Sequence, residues 1–137
     1  MAQHHSGAIK KAQQRLVLCR LIIDIMRTVH GTYAPVSAPF GTRLETLFVG
    51  LCVAIGDLEG KPFSVAKIAA YMRVPRTTVI RRLDRLQGWG LIDCRGRRYY
   101  MHEKTLNALI GMRSYQQVRR FLSKATEELT VLDTLGD

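Results

Sequence analysis

FSVAKIAAYMRVPRTTVIRRLDRLQGWGLIDCRGRRYYM, residues 63–101, is the stretch from which the rest of the chain can be read. Ser64 stands where a helix N-cap belongs, with a side-chain oxygen able to accept from an amide of the first turn. Phe63 precedes that cap and Ile68 follows it by four positions, the spacing of a hydrophobic staple. These signals predict a short helix from Val65 to about Arg73. Val74 and Pro75 make the turn, and Pro75 suits the first position of the next helix, where its fixed φ fits and no amide is needed. A second helix is expected from about Pro75 to Gln87. Val79, Leu83 and Leu86 fall at i, i+4 and i+7 and define its core stripe, while Arg76, Thr77, Ile80, Arg81 and Asp84 fall opposite. Gly88 or Gly90 stops the helix and Trp89 packs at the corner. Leu91 to Cys94 and Arg98 to Met101 read as short strands around Arg95-Gly96-Arg97, with Gly96 supplying the positive φ of a tight hairpin.

Two helices joined by so short a turn need small residues where their backbones approach. Ala69 and Ala70 meet that need, and Ile68, Met72, Val74, Val79 and Leu83 are the apolar anchors. The arrangement is a helix-turn-helix whose second helix projects its N-terminal half into solvent, as entry into a DNA major groove requires. The charge supports this. The chain carries a net +10 over 137 residues. Residues 61–100 hold ten Lys/Arg against two Asp/Glu, so +8 of it lies there; residues 1–60 add +2 and residues 101–137 are balanced. A basic surface kept for solubility would be spread more evenly; clustering is the footprint of a nucleic-acid binder. Arginines on the exposed face can fork onto guanine N7 and O6 or bond phosphates, threonines can do either, and Ile80 can touch a thymine methyl. Arg95, Arg97 and Arg98 on the hairpin would meet the DNA backbone or minor groove. Arg82 and Arg85 read as a solvated charged flank.

Outward from this centre, residues 42–60 form a further helix. Thr42-x-x-Glu45 matches a capping box, Leu44, Leu47, Phe48, Leu51 and Ile55 give an inward stripe, and the helix should end between Gly56 and Gly60. Gly31 to Gly41, with Pro35 and Pro39, is a loop. From about Ala8 to Val29, Ile9, Ala12, Leu16, Cys19, Ile23 and Met26 alternate spacings of three and four, and Leu18, Leu21, Ile22, Ile25 and Val29 widen the apolar surface. His4, His5, Ser6 and Gly7 read as a disordered lead-in. Near the other end a helical piece from about Glu103 to Met112 is followed by a second capping box, Ser114-x-x-Gln117, and a seam of Val118, Leu122, Ala125, Leu129 and Leu132. Two such apolar helices leave more surface than one small core can cover, which predicts a homodimer.

The expected fold is mainly α with a small β-wing: an N-terminal dimerisation helix and loop (1–41), a winged helix-turn-helix DNA-binding domain (42–102) and C-terminal dimerisation helices (103–137). A hydrophobic fraction of 47% and a charged fraction of 23% are ordinary for a globular chain. Cys19, Cys52 and Cys94 are odd in number, far apart and without zinc spacing, so they read as buried or inert thiols in a reducing compartment. His30 and His102 lack ligand partners, so no metal is expected. Leu16 to Met26 is too short and too interrupted by Arg20 and Asp24 to span a bilayer, and the start lacks a signal-peptide pattern, so the expected location is the cytoplasm. No nucleophile–base or paired-carboxylate arrangement is present, so neither catalysis nor a cofactor is expected.

The stretch IAAYMRVPRTTVIRRLDRL resembles the helix-turn-helix of winged-helix bacterial regulators, whose pattern reads Leu-Ala-x-x-Leu-Gly-Val-Ser-x-x-Thr-Val-x-x-x-Leu. Ile68, Ala69, Met72, Val74, Thr78, Val79 and Leu83 fill its apolar and threonine positions. TTVIRRLDRLQGWGLID is similar to the MarR family, with Thr78-Val79, Asp84-Arg85-Leu86 and Gly90-Leu91-Ile92 in register. Arg73 stands where that family has a turn glycine, Pro75 where it has a capping serine, and the Asp-x-Arg signature of its wing is missing. The resemblance implies a homodimeric transcriptional regulator that binds a pseudo-palindromic duplex through Arg76, Thr77, Thr78, Ile80, Arg81, Arg95, Arg97 and Arg98. It also implies room for an unidentified small-molecule effector between the DNA-binding lobe and the dimer helices. Some relatives sense peroxide through an N-terminal-helix cysteine, but the apolar neighbours of Cys19 favour an inert thiol. Two alternatives stay open: a winged helix that docks on an acidic protein, and a replication or partition protein of a mobile element.

Overall fold

The computed structural model describes residues 2–30, 38–103, 105 and 112–135. Its elements in chain order are α1 (Ala2–His30), α2 (Phe40–Leu58), α3 (Val65–Met72), α4 (Arg76–Gly88), β1 (Ile92–Arg95), β2 (Arg98–Met101) and α5 (Met112–Asp133). The fold is mainly helical with one two-stranded antiparallel sheet, as a winged-helix protein requires. The chain divides into two compact units: Met1–Val29 with Gly111–Asp137, and the intervening His30–Ile110.

The central unit is built around α2. This helix packs against α3, α4 and β2, which explains why its apolar character runs around most of its circumference. Leu47, Val49 and Val53 are buried, together with Phe63, Ile68, Val79, Leu83, Leu86, Ile92 and Met101 from the elements that enclose it. Thr46 is fully buried, and its hydroxyl donates to the Thr42 carbonyl at 2.6 Å, so the polar atom is satisfied within the helix.

Two expectations about α2 are overturned. The helix begins at Phe40, with Pro39 as N-cap and no side-chain cap bond. Thr42 therefore lies inside the first turn, and Glu45 is engaged elsewhere. The inward stripe is also displaced. Phe48 is exposed and Leu44, Leu51 and Ile55 are half-buried, while the positions between them are covered. A helix enclosed by three neighbours buries more than one stripe, and period alone cannot say which edge stays open. The open edge, Phe48, Leu51 and Ile55 with Tyr71 and Met72 of α3, lines an apolar groove of about 370 Å³.

The end of α2 is fixed by a close approach. A Cβ on Gly56 would come within 2.6 Å of Phe63 Cδ1 and 2.8 Å of the Phe63 amide nitrogen, so only glycine lets residues 61–63 lie against the helix. The Gly56 carbonyl accepts from the Lys61 amide at 2.9 Å, closing the turn.

The terminal unit consists of α1 and α5. The lead-in expected at His4 to Gly7 is helical, since α1 starts at Ala2. Val17 and Ala125 are buried where the two helices meet, and Val17, Leu21, Phe121 and Ala125 line a small gap of about 30 Å³ between them. Lys10 donates to the Leu135 carbonyl at 3.2 Å, so the start of α1 lies beside the end of α5 and the helices run antiparallel. That ammonium also suits the partial negative charge of a helix C-terminus. The sequence around the second capping box points to a helix start between Gly111 and Ser114, and α5 does begin at Met112, with Ser114 inside its first turn and not at the N-cap. Of the expected piece from Glu103 to Met112, most falls outside the described residues. Of the three thiols expected to be buried or inert, Cys52 is buried, whereas Cys19 and Cys94 are exposed. Cys19 lies on the exposed part of α1.

Candidate nucleic-acid interface

The first helix of the motif starts as its sequence dictates. Ser64 is the N-cap of α3, and its Oγ accepts from the Lys67 amide at 3.3 Å. Phe63 and Ile68, the staple pair, are both buried. The Lys67 ammonium lies 4.3 Å from the centre of the Phe63 ring, and Tyr71 makes a tilted ring contact with Phe63 at 5.7 Å. One aromatic side chain thus meets two successive turns of α3.

The turn is where the chain departs from the usual motif. Arg73 adopts φ 60° and ψ 45°, the left-handed conformation that glycine commonly supplies at this place. It is the only non-glycine residue with positive φ among those described. Its amide and that of Val74 both turn back to the Ala69 carbonyl, so orphan groups at the helix end are satisfied in return for the strain. Pro75 then serves as the N-cap of α4 rather than its first helical residue. With φ −61° and ψ 148°, its carbonyl accepts from the Thr78 and Val79 amides.

On α4 the division of faces is sharp. Val79, Leu83 and Leu86 have no exposure. Arg76, Thr77, Ile80 and Arg81 are exposed, along with Asp84 and Arg85; Thr78 is half-buried on the flank. Ile80 keeps 45% of its surface open within a charged face. A lone exposed aliphatic among arginines and threonines is the composition that base edges in a major groove favour.

Arg82 does something the sequence did not reveal. It is not a solvated flank: its side chain is only 12% exposed, and Nε and Nη2 donate to Glu45 Oε1 at 2.8 and 2.7 Å. The pair ties α4 to α2. The available signal was position, since Arg82 adjoins Leu83 and sits three residues after Val79, at the border of the buried stripe.

The wing pairs Ile92 with Met101, Asp93 with Tyr100, Cys94 with Tyr99 and Arg95 with Arg98. β1 therefore starts one residue later than expected and ends one later, leaving Gly96-Arg97 as a two-residue loop. Gly96 has φ +63° and Arg97 does not share the positive sign, which is the type II′ pattern. The root is held at three points. The Met101 amide donates to Asp57 Oδ2 at 2.9 Å, the Tyr99 amide to the Phe63 carbonyl at 3.4 Å and the His102 amide to the Leu91 carbonyl at 2.9 Å. The tip is different. Arg95, Arg97 and Arg98 are exposed, with the Arg95 guanidinium 4.7 Å from the centre of the Tyr100 ring. Burial, then the neighbouring Cys94 thiol, then the Asp84 carboxylate push the Tyr99 phenol above its ordinary range. Tyr99 is thus a neutral, half-buried strand residue between wing and helix.

Arg76, Thr77, Ile80 and Arg81 are exposed on α4, and Arg95, Arg97 and Arg98 are exposed at the hairpin tip of the same unit. Thr78 stands partly behind the first group. Among the described residues no group of three or more His, Cys, Asp or Glu side chains could hold a metal ion. No helix among them is long and apolar enough to cross a membrane.

No protein-family description matches the chain, and no curated protein matches it. One solved structure does: a crystal structure of a candidate transcriptional regulator protein from Pseudomonas aeruginosa PA01. It is 18% identical, with a TM-score of 0.50, over 93% of this chain and 82% of that one. At this identity the likeness concerns the fold.

Proposed function

We propose that the chain is a transcriptional regulator that binds duplex DNA as a homodimer. The observation that carries this reading is the pairing, within one unit, of an exposed Arg/Thr face on α4 with a hairpin tip of exposed arginines. Arg95 and Arg98 stand directly opposite each other, with Arg97 between them in the loop. Like charges across a ladder destabilise a hairpin. The cost is offset when a polyanion lies against the tip, and a phosphate backbone is the polyanion that a helix spaced for the major groove would bring. Regulation is the use favoured by the similar fold, described for the Pseudomonas protein as a candidate transcriptional regulator.

The homodimer is supported by the terminal unit. Ile9, Leu16, Leu18, Ile22 and Ile23 of α1 are each 39–55% exposed. That much apolar surface on one helix calls for a partner, and a second copy related by a two-fold axis would present two copies of α4 to half-sites separated by about 10 bp or a multiple of it. In this reading Arg76, Thr77, Ile80 and Arg81 meet base edges, Thr78 supports them from the flank, and the wing arginines meet phosphate or the minor groove. The helix-turn-helix residues resemble those of the MarR family, and a small-molecule effector would be consistent with that resemblance.

The test is duplex binding measured across salt concentrations for wild type and Arg81→Ala. Wild type should lose affinity steeply as salt rises. Arg81→Ala should lose about 1–3 kcal/mol on its preferred site. Undetectable binding at low salt, or affinity indifferent to salt, would sink the proposal.

A further inference from the structure

We infer that the Glu45–Arg82 pair is a positioning device that sets the rotation of α4 about its own axis, and so governs which DNA sequence is read more than how tightly DNA is held. The inference rests on the DNA-binding reading above and deepens it.

The argument begins with what apolar packing leaves undetermined. Val79, Leu83 and Leu86 lie along one stripe of α4 and have no exposure. A stripe of aliphatic side chains fixes the depth of a helix firmly, but its attraction is non-directional and tolerates a small roll. Arg82 lies about 60° around the helix from Val79, at the edge of that stripe. There it makes two directional bonds to a single oxygen of a residue on a different helix, 2.8 Å from Nε and 2.7 Å from Nη2. Two donors converging on one acceptor fix the plane of the guanidinium as well as its distance. The contact lies off the apolar stripe, so it resists rotation in a way the stripe does not.

The choice of an ion pair here is informative. Arg82 is 12% exposed and Glu45 is 45% exposed. A well-packed apolar pair in such a place is often as stable as a charged one, and the best-attested use of a partly buried pair is to fix register.

The geometry translates into reading. A helix with side chains has a radius of about 5–6 Å, so a roll of ~10° moves a group at its surface by about 1 Å. A shift of that size spoils a bidentate bond from Arg81 or Arg76 to a base edge. It leaves a phosphate contact nearly intact, because long basic side chains reach a charge from many angles.

The experiment selects bound duplexes from a random pool with wild type, Glu45→Ala and the exchanged pair Glu45→Arg with Arg82→Glu, and compares affinity for the selected site with affinity for scrambled duplex. Glu45→Ala should bind scrambled duplex as well as wild type or better, with a steeper salt dependence. Its preference for the selected site should fall at least tenfold, and the exchanged pair should recover most of it. Thermal melting accompanies each variant. If Glu45→Ala does not fold, Glu45→Gln, which keeps the shape and removes the charge, takes its place with the same expectation at smaller size. An unchanged preference in a folded variant overturns this inference alone. So does a preference that falls only in proportion to melting temperature and is not restored by the exchange. Wild type that shows no site preference overturns the DNA-reading proposal and this one with it.

Discussion

The two compact units of this chain solve opposite problems with similar raw material. The central unit, 30–110, encloses its apolar residues: Phe63, Leu47, Ile68, Leu83, Leu86, Val49, Val53 and Val79 are all essentially without exposure. The terminal unit has two of the three longest helices, yet among its described residues only Val17 and Ala125 are buried. Ile9, Leu16, Leu18, Ile22 and Ile23 of α1 and Leu122 and Val131 of α5 are exposed. Two antiparallel helices share one line of contact, so each must leave most of its circumference open. A mixed bundle of three helices and a hairpin closes on itself. The lesson is that hydrophobic content says little about self-sufficiency; what matters is the number of neighbours an element has to bury it against.

The comparison can be broken most forcefully at Phe63. Phe63→Ala removes the ring that meets Tyr71 and Lys67 and fills the space beside Gly56, and should destabilise the central unit by about 3–5 kcal/mol in thermal or urea unfolding. A loss under about 1 kcal/mol would show that the enclosed core is not what holds this unit. Next in size is the open face of α1. Ile22→Glu should weaken self-association at least tenfold, about 1.4 kcal/mol, in sedimentation measurements while the central unit melts unchanged. An unaltered sedimentation profile would remove α1 from the dimer. Arg73→Gly should gain about 0.5–1 kcal/mol, because glycine adopts the left-handed turn without the steric cost that Arg73 bears. The smallest effect is expected at Ser64→Ala, a loss of about 0.5–1 kcal/mol at a cap whose bond is on the long side.

How much of this was legible in the sequence depends on how local the cause is. The cap at Ser64, the faces of α4 and the hairpin at Gly96 were readable because each is set by residues within one or two turns of each other. The exposed positions of Arg76, Thr77, Ile80 and Arg81 followed from the same periodicity. The start of α2 was misread because Thr42 and Glu45 fit a capping pattern that a tertiary contact overrode: Glu45 faces Arg82, 37 residues away. The inward edge of α2 was misread for a related reason. Its sequence is apolar on nearly every side, and only the placement of α3, α4 and β2 decides that Phe48 stays open while Val49 and Val53 do not. The left-handed turn at Arg73 lay between these cases. Position in the motif demanded that conformation, but the residue type argued against it.

The root of the hairpin is tied to Asp57, Phe63 and Leu91, while beyond the Cys94–Tyr99 rung only the Arg95–Arg98 pair and a two-residue loop remain. The wing therefore behaves as a short lever with a clamped base. β1 packs on α4, and the Phe63 carbonyl that takes the Tyr99 amide belongs to the residue just before the Ser64 cap, so a displacement of the hairpin base would reach both helices of the motif.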